Sequence, residues 1–149
     1  MSTGAHLSKE LLELVKSIGE SRSKQEEDKI ITHEAGYLKR KFNEKNISEK
    51  RMKELLIRAL YVVMLGHDAS FSYIHAVNLA QSKNLMIKRV GYLCCQLFLD
   101  ENTELLILLI GTIQRDLQSK SHWEVLAALT VLTKLANQNV VLAVQEIAA

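Results

Sequence analysis

From Ser48 onward the chain falls into pairs of amphipathic stretches beginning near Ser48, Leu85 and Ser121, a period of roughly 36 residues. That period belongs to helical-hairpin repeats, in which each hairpin buries its apolar face only against its neighbours. The 149 residues include no proline and only six glycines, so little interrupts a helix. No useful length of strand-like alternation is present. The TPR signature residues and the ankyrin TPLHxA are missing, which favours a HEAT-like or armadillo-like stack. The expected fold is all-α, a right-handed α-α superhelix (a HEAT/armadillo-like solenoid) of about eight helices.

Stripes and caps place the boundaries. Leu7, Leu11, Leu14, Val15 and Ile18 share one helical face, which weakens at Gly19 and the polar Glu20-Ser21-Arg22-Ser23. Ser23 caps a second helix, with Glu26 at capping-box spacing and Ile30, Ile31, Ala35, Leu38 and Phe42 on its stripe. Asn43 to Ile47 reads as a loop. Ser48 caps a third helix, through Met52, Leu55, Leu56, Ala59, Leu60 and Val63, which stops at Gly66-His67-Asp68. Further helices are expected over 71–81, 85–99 and 103–118, with breaks at Lys83-Asn84 and Asp100-Glu101-Asn102. A seventh, capped by Ser121, reaches about Ala136, and a turn at 137–139 leads to the last. The chain closes on LAVQEIAA, an apolar helix without a polar cap, which implies a fragment of a longer protein.

A formal charge of +2 is too near balance for a general nucleic-acid binder. Of the 19 Lys and Arg, 13 fall within Met1 to Arg58, with 10 of the 17 Asp and Glu. The front helices are therefore expected to be charge-laced and solvated, and those behind increasingly enclosed. The longest aliphatic run, Leu105 to Ile110, is about a third of the roughly 20 residues that cross a bilayer. The N-terminus lacks the basic and continuous apolar regions of a signal peptide, so the Asn46-Ile47-Ser48 sequon carries no weight. Adjacent Cys94 and Cys95 form neither a disulfide framework nor a CxxC site and read as reduced packing residues of the cytosol. About 100° apart on a helix, one should point inward and the other to an inter-helix seam.

Chemistry is sparse. His6, His33, His67, His75 and His122 form no HExxH or Cys/His cluster. His67-Asp68-Ala69-Ser70 holds the residue types of a hydrolytic triad, but adjacent side chains in one turn cannot form its relay; the segment reads as a helix stop with Gly66 at C′. No phosphate-cradling loop is present. No catalytic, cofactor or metal residues are expected, and the chain does not read as an enzyme. Tyr61, Phe71, Tyr73, Tyr92, Phe98 and Trp123 lie on apolar helices and are assigned to the core. The polar feature that remains is a basic cluster of Lys39, Arg40, Lys41, Lys45, Lys50, Arg51, Lys53 and Arg58. Each cation near an anionic membrane is worth about 1 kcal/mol, so together they form a candidate membrane or phosphoinositide patch. The alternative is that they complement a helix C-terminus and are otherwise solvated.

Three segments carry a resemblance: Met64-Leu65-Gly66-His67-Asp68-Ala69-Ser70-Phe71; Lys88-Arg89-Val90-Gly91-Tyr92-Leu93 with Asp100-Glu101; and Ile113-Gln114-Arg115-Asp116-Leu117. As an ordered set from about Leu11 to Leu135 they resemble the N-terminus of the large adaptins of gamma, alpha and epsilon type, most of all epsilon. The resemblance implies the start of an α-solenoid trunk, a non-catalytic scaffold in a cytosolic coat complex that collects cargo on trans-Golgi or endosomal membranes. The implied partners are a small, a medium and a beta subunit, and recruitment is through an Arf-family GTPase or a phosphoinositide. It further implies a small-subunit interface at Leu11, Leu14, Val15 and Ile18. By position, Lys41 falls on a basic residue that in alpha contacts phosphoinositide, Lys53 matches one member of its lysine triplet, and Arg58 keeps another charge. Met52 and Glu54 replace the other two, which favours GTPase recruitment. Gly19 stands where gamma and alpha carry the arginine that meets an acidic dileucine signal, with Arg22 near enough to substitute. The competing reading is a free-standing helical-repeat module whose concave face takes a peptide.

Overall fold

Serine caps start the first three helices. A computed structural model of the chain describes residues 8–98 and 103–148, with side chains described over 8–98 and 104–136. In α1 (Lys9–Gly19), α2 (Lys24–Phe42) and α3 (Glu49–Met64), the hydroxyls of Ser8, Ser23 and Ser48 accept the backbone N–H of Leu11, Glu26 and Arg51 at 3.2, 3.1 and 3.1 Å. Each such cap is worth about 1 kcal/mol. The Glu26 carboxylate reaches back to the N–H of Arg22 at 2.9 Å, so the capping box closes one residue outside the cap.

The stop after α3 is built as its residue types suggest. Gly66 takes φ +87°, the left-handed C′ conformation that a Cβ disfavours. The Asp68 carboxylate then accepts the Ser70 N–H at 3.2 Å, and the Ser72 hydroxyl donates to the Ala69 carbonyl at 2.6 Å, shaping a 3-10 turn over Ser70–Ser72. His67 Nε2 lies 3.2 Å from Asp28 Oδ1 and ties this stop to α2. An added Cβ on Gly66 would meet nothing within 4 Å, so its whole cost is in the backbone. Gly66→Ala is therefore expected to lower stability by about 1 kcal/mol, read as a lower midpoint in urea unfolding.

Four further helices follow: α4 (Tyr73–Leu79), α5 (Leu85–Phe98), α6 (Thr103–Leu117) and α7 (His122–Ala148). The Asn84 carboxamide oxygen accepts the Met86 N–H at 3.1 Å and so opens α5. Among the described residues there are seven α-helices and no strand, against about eight expected. The missing break is the one at 137–139, where α7 runs straight through. Asparagine in a helix interior costs at most about 0.7 kcal/mol, and without glycine or proline nothing forces a turn there. Leu7, His6, the Asp100-Glu101-Asn102 turn and the side chains of the closing LAVQEIAA lie outside what the structure describes.

The chain divides into two compact units, Met1–Ser72 and Tyr73–Ala149. In the first, α2 packs against α1, α3 and the 3-10 turn, around a core of Ile31, Leu38, Phe42, Leu55, Leu56, Ala59 and Val62. The Phe42 and Phe71 rings meet at 5.8 Å in a tilted pair. In the second, α4 packs on α5 and α6 on α7, with α7 also against α5. Its core includes Val77, Leu79, Tyr92, Cys94, Cys95, Leu109, Ile113, Ala128 and Val131.

Three expectations need correction here. Cys94 and Cys95 are both fully buried rather than split between core and seam, because α5 has helices on two sides. Burial alone pushes the Cys94 thiol up to about 12, and burial raises Cys95 as well, so neither is a reactive thiolate. Trp123 is 60% exposed: it shares a face of α7 with Leu126 and Thr130, turned away from buried Ala128. Nor are the later helices more enclosed, since Met86, Leu93, Ile107, Leu108, Leu126 and Leu129 are among many exposed apolar side chains of the second unit. The low charge of this half reflects apolar surface as much as core.

Candidate functional site

Two of the three motif segments, those holding Lys88 with Tyr92 and Asp116, meet in a buried polar knot in the second unit. Lys88 on α5 is 2% exposed, and its Nζ donates to Asp116 Oδ2 on α6 at 2.7 Å and to the Ala80 carbonyl at 2.7 Å. Ala80 immediately follows α4, so that carbonyl is one of the helix-end acceptors that carry partial negative charge. The Tyr92 hydroxyl donates to the same carboxylate oxygen. Burial first, and then the Asp116 carboxylate, hold this hydroxyl well above the usual tyrosine range, so it remains a donor. Gly91 between them lets α5 approach α4: an added Cβ would lie 2.4 Å from the Ala80 nitrogen. One ammonium and one carboxylate thus join α4, α5 and α6. These bonds make the knot a device that holds three helices together, and Lys88 and Asp116 also border a cavity of about 440 Å³.

A second buried pair organises the first unit. Arg58 on α3, 4% exposed, bonds Glu34 on α2 at 2.6 Å and stacks over the Tyr37 ring at 5.0 Å. Arg58 therefore leaves the candidate lipid patch, because a guanidinium committed inside a helix pair cannot reach a membrane surface.

The other basic residues lie at the α2–α3 junction. Lys39, Arg40 and Lys50 are exposed, and Lys53 is half-buried. Lys41 bonds Glu44 at 2.9 Å and lies 5.5 Å from the centre of the Tyr37 ring. Arg51 pairs with Glu54 at 3.3 Å and approaches Glu10 at 4.0 Å. Lys39, Arg40 and Lys41 end α2, where cations favour the helix dipole. Lys50 and Arg51 lie in the first turn of α3, where the same dipole disfavours a cation by about 0.3–1 kcal/mol at an exposed site, and Lys53 follows just beyond it. Their placement is thus not explained by helix stability.

On α1 the sequence stripe divides. Leu11 and Leu14 are buried in this chain's own core, while Ile18 is half-buried. Val15 is 42% exposed and Leu12, one position off the expected stripe, 55%. These two form the outward apolar face that the sequence pattern alone did not isolate. Beside them a cleft of about 1180 Å³ is lined by Glu10, Glu13, Glu20, Glu26 and Glu34 against Arg22, Lys29 and Arg58. Its acidic lining is unsuited to an acidic ligand. Among the described residues no three His, Cys, Asp or Glu gather as a metal site. No helix among them is long and apolar enough to cross a membrane.

Residues 27–147 match the family model of the adaptin N-terminal region. The chain belongs to the adaptin family. It is 51% identical over 137 residues to the AP-4 complex subunit epsilon of Arabidopsis thaliana, covering 92% of this chain and 15% of that protein. It is 48% identical over 131 residues to the AP-4 complex subunit epsilon-1 of Homo sapiens, covering 88% of this chain and 12% of that protein. The AP-1 complex subunit gamma-1 of Schizosaccharomyces pombe is further off, at 30% over 126 residues, covering 85% of this chain and 15% of that protein. The chain thus spans about an eighth to a seventh of these relatives' length. The adaptin segments singled out in the sequence are the ones that build the Gly66 stop and the Lys88–Asp116–Tyr92 knot. Asp116 and Lys88 lie 28 residues apart, and only the hairpin packing brings them into contact.

Proposed function

We propose that this chain is the N-terminal part of an epsilon-type adaptin trunk, a non-catalytic scaffold in an adaptor coat complex of vesicle-mediated protein transport. The observation that carries the reading is the use of the buried charges: Glu34 with Arg58 and Lys88 with Asp116 are spent in pairs that join helix to helix. The partners are the small, medium and beta subunits of such a complex. The complex is peripheral on trans-Golgi or endosomal membranes and is recruited by an Arf-family GTPase.

The small subunit meets α1 through Leu12 and Val15, the side chains that α1 leaves exposed. Leu12→Asp/Val15→Asp is expected to abolish recovery of a coexpressed small subunit in a pull-down while leaving the helical spectrum unchanged. Recovery equal to the parent would remove α1 from the interface.

Lys39, Arg40, Lys41, Lys50, Arg51 and Lys53 face an anionic bilayer, which adds countercharge to that of Glu44, Glu49 and Glu54. At about 1 kcal/mol per cation, reversing two should weaken attachment tenfold or more. Lys41→Glu/Lys53→Glu is therefore expected to lose most flotation with phosphatidylserine vesicles at low salt, and undiminished flotation retires the patch. Gly19 and the acidic cleft around Arg22 also predict weak binding of an acidic-dileucine peptide. Ordinary micromolar titration of such a peptide would show Gly19 to be no obstacle.

A further inference from the structure

Within Lys88-Arg89-Val90-Gly91-Tyr92-Leu93, packing uses only part of the motif. Lys88, Gly91 and Tyr92 are buried, whereas Arg89 is exposed and Leu93 is 47% exposed. Arg89 and Leu93 line one groove of the second unit, formed by α5 and α7 and enclosing about 310 Å³. From α7, Leu126 borders it at 49% exposure, with Val131 buried beneath and Lys134 exposed. Among the described residues Arg89 and Lys134 are its only charged lining residues, and both are cationic. Among the described residues neither takes part in an ion pair. Trp123, one turn before Leu126 on the same face of α7, extends the apolar surface at 60% exposure.

An aliphatic floor bordered by cations alone selects an occupant by charge as well as shape. We propose that this groove docks an acidic amphipathic helix of a partner protein. Its aliphatic side chains, spaced i, i+3 and i+7, seat on Leu93, Leu126 and Val131, and its flanking carboxylates meet Arg89 and Lys134. The apolar contacts supply the affinity, with Trp123 as an aromatic anchor. The cations supply the discrimination, since a basic helix of the same shape is repelled.

The probe is a fluorescein-labelled designed helical peptide with leucines at i, i+3 and i+7 on one face and glutamates flanking them. Its counterpart with lysines in place of the glutamates is the comparison. Both are titrated by anisotropy against the 149-residue chain at low salt. The glutamate peptide is expected to bind saturably and about tenfold more tightly than the lysine peptide. Arg89→Glu/Lys134→Glu, both at exposed positions, is expected to reverse that order with an unchanged helical spectrum. The proposal is overturned by equal affinity of the parent chain for the two peptides, by saturable binding of neither, or by the same preference in the folded charge-reversed variant. Sedimentation tests a second copy: a concentration-dependent dimer lost in Leu93→Ser/Leu126→Ser would assign the groove to self-association and would equally overturn the proposal. The peptide comparison on the parent chain needs no variant and decides the matter even where a variant fails to fold.

Discussion

Asp116→Ala is expected to be among the most destabilising substitutions in the chain, by about 3–5 kcal/mol, because it leaves the Lys88 ammonium buried with the Ala80 carbonyl as its remaining partner. Tyr92 loses its acceptor in the same step, adding an unsatisfied buried hydroxyl. Urea unfolding followed by circular dichroism measures the effect as a large drop in midpoint. A drop under about 1 kcal/mol would mean that the pair is replaceable by water and is not what joins α5 to α6. The companion variant Lys88→Met/Asp116→Leu separates charge pairing from packing. Replacing a buried ion pair with apolar residues of similar volume is often neutral or stabilising, so the double variant should recover most of what Asp116→Ala loses. Ala80 O then lacks its donor, and a residual deficit of about 1–3 kcal/mol is the expected remainder.

Two glycines on neighbouring helices should respond in opposite directions. On Gly91 an added Cβ lies 2.4 Å from the Ala80 nitrogen and 2.7 Å from the Leu79 carbonyl carbon, and backbone atoms cannot rotate away as a side-chain tip would. Overpacking of this kind costs about 1–3 kcal/mol, with a gain of up to about 1 kcal/mol from replacing glycine by alanine inside a helix. Because both nearest atoms are backbone, the clash dominates and Gly91→Ala should destabilise by about 2 kcal/mol. Gly111 in α6 has nothing within 4 Å of the same added atom, so Gly111→Ala should stabilise by up to about 1 kcal/mol. Thermal unfolding of the two variants beside the parent reads both signs. A stable Gly91→Ala would show that α4 and α5 can separate at little cost.

Helix identity and the ends of helices were legible in the sequence because they depend on near neighbours. Ser8, Ser23 and Ser48 cap through bonds three residues long, and Gly66 needs only its own φ. Where local signals were weak, as at 137–139, the expected turn did not form. The adaptin resemblance was legible for a related reason, since its segments carry a fixed order along the chain. Their purpose was not, because Lys88 and Asp116 are separate in sequence and each alone reads as a solvated charge.

The candidate surfaces show the same division. Periodicity placed Leu11, Leu14, Val15 and Ile18 on one stripe, and a stripe has a width but no direction, so burial of Leu11 and Leu14 left Leu12 and Val15 outside. Charge counting placed Arg58 with its basic neighbours, although Glu34 on α2 had claimed it for the interior. By itself the sequence determined that this chain is helical, where its first helices begin, and that it is adaptin-like, because capping, turn chemistry and helical spacing act within a few residues. Only the tertiary structure decided which charges are buried partners and which apolar faces remain open, because burial is a property of the neighbours that packing brings together.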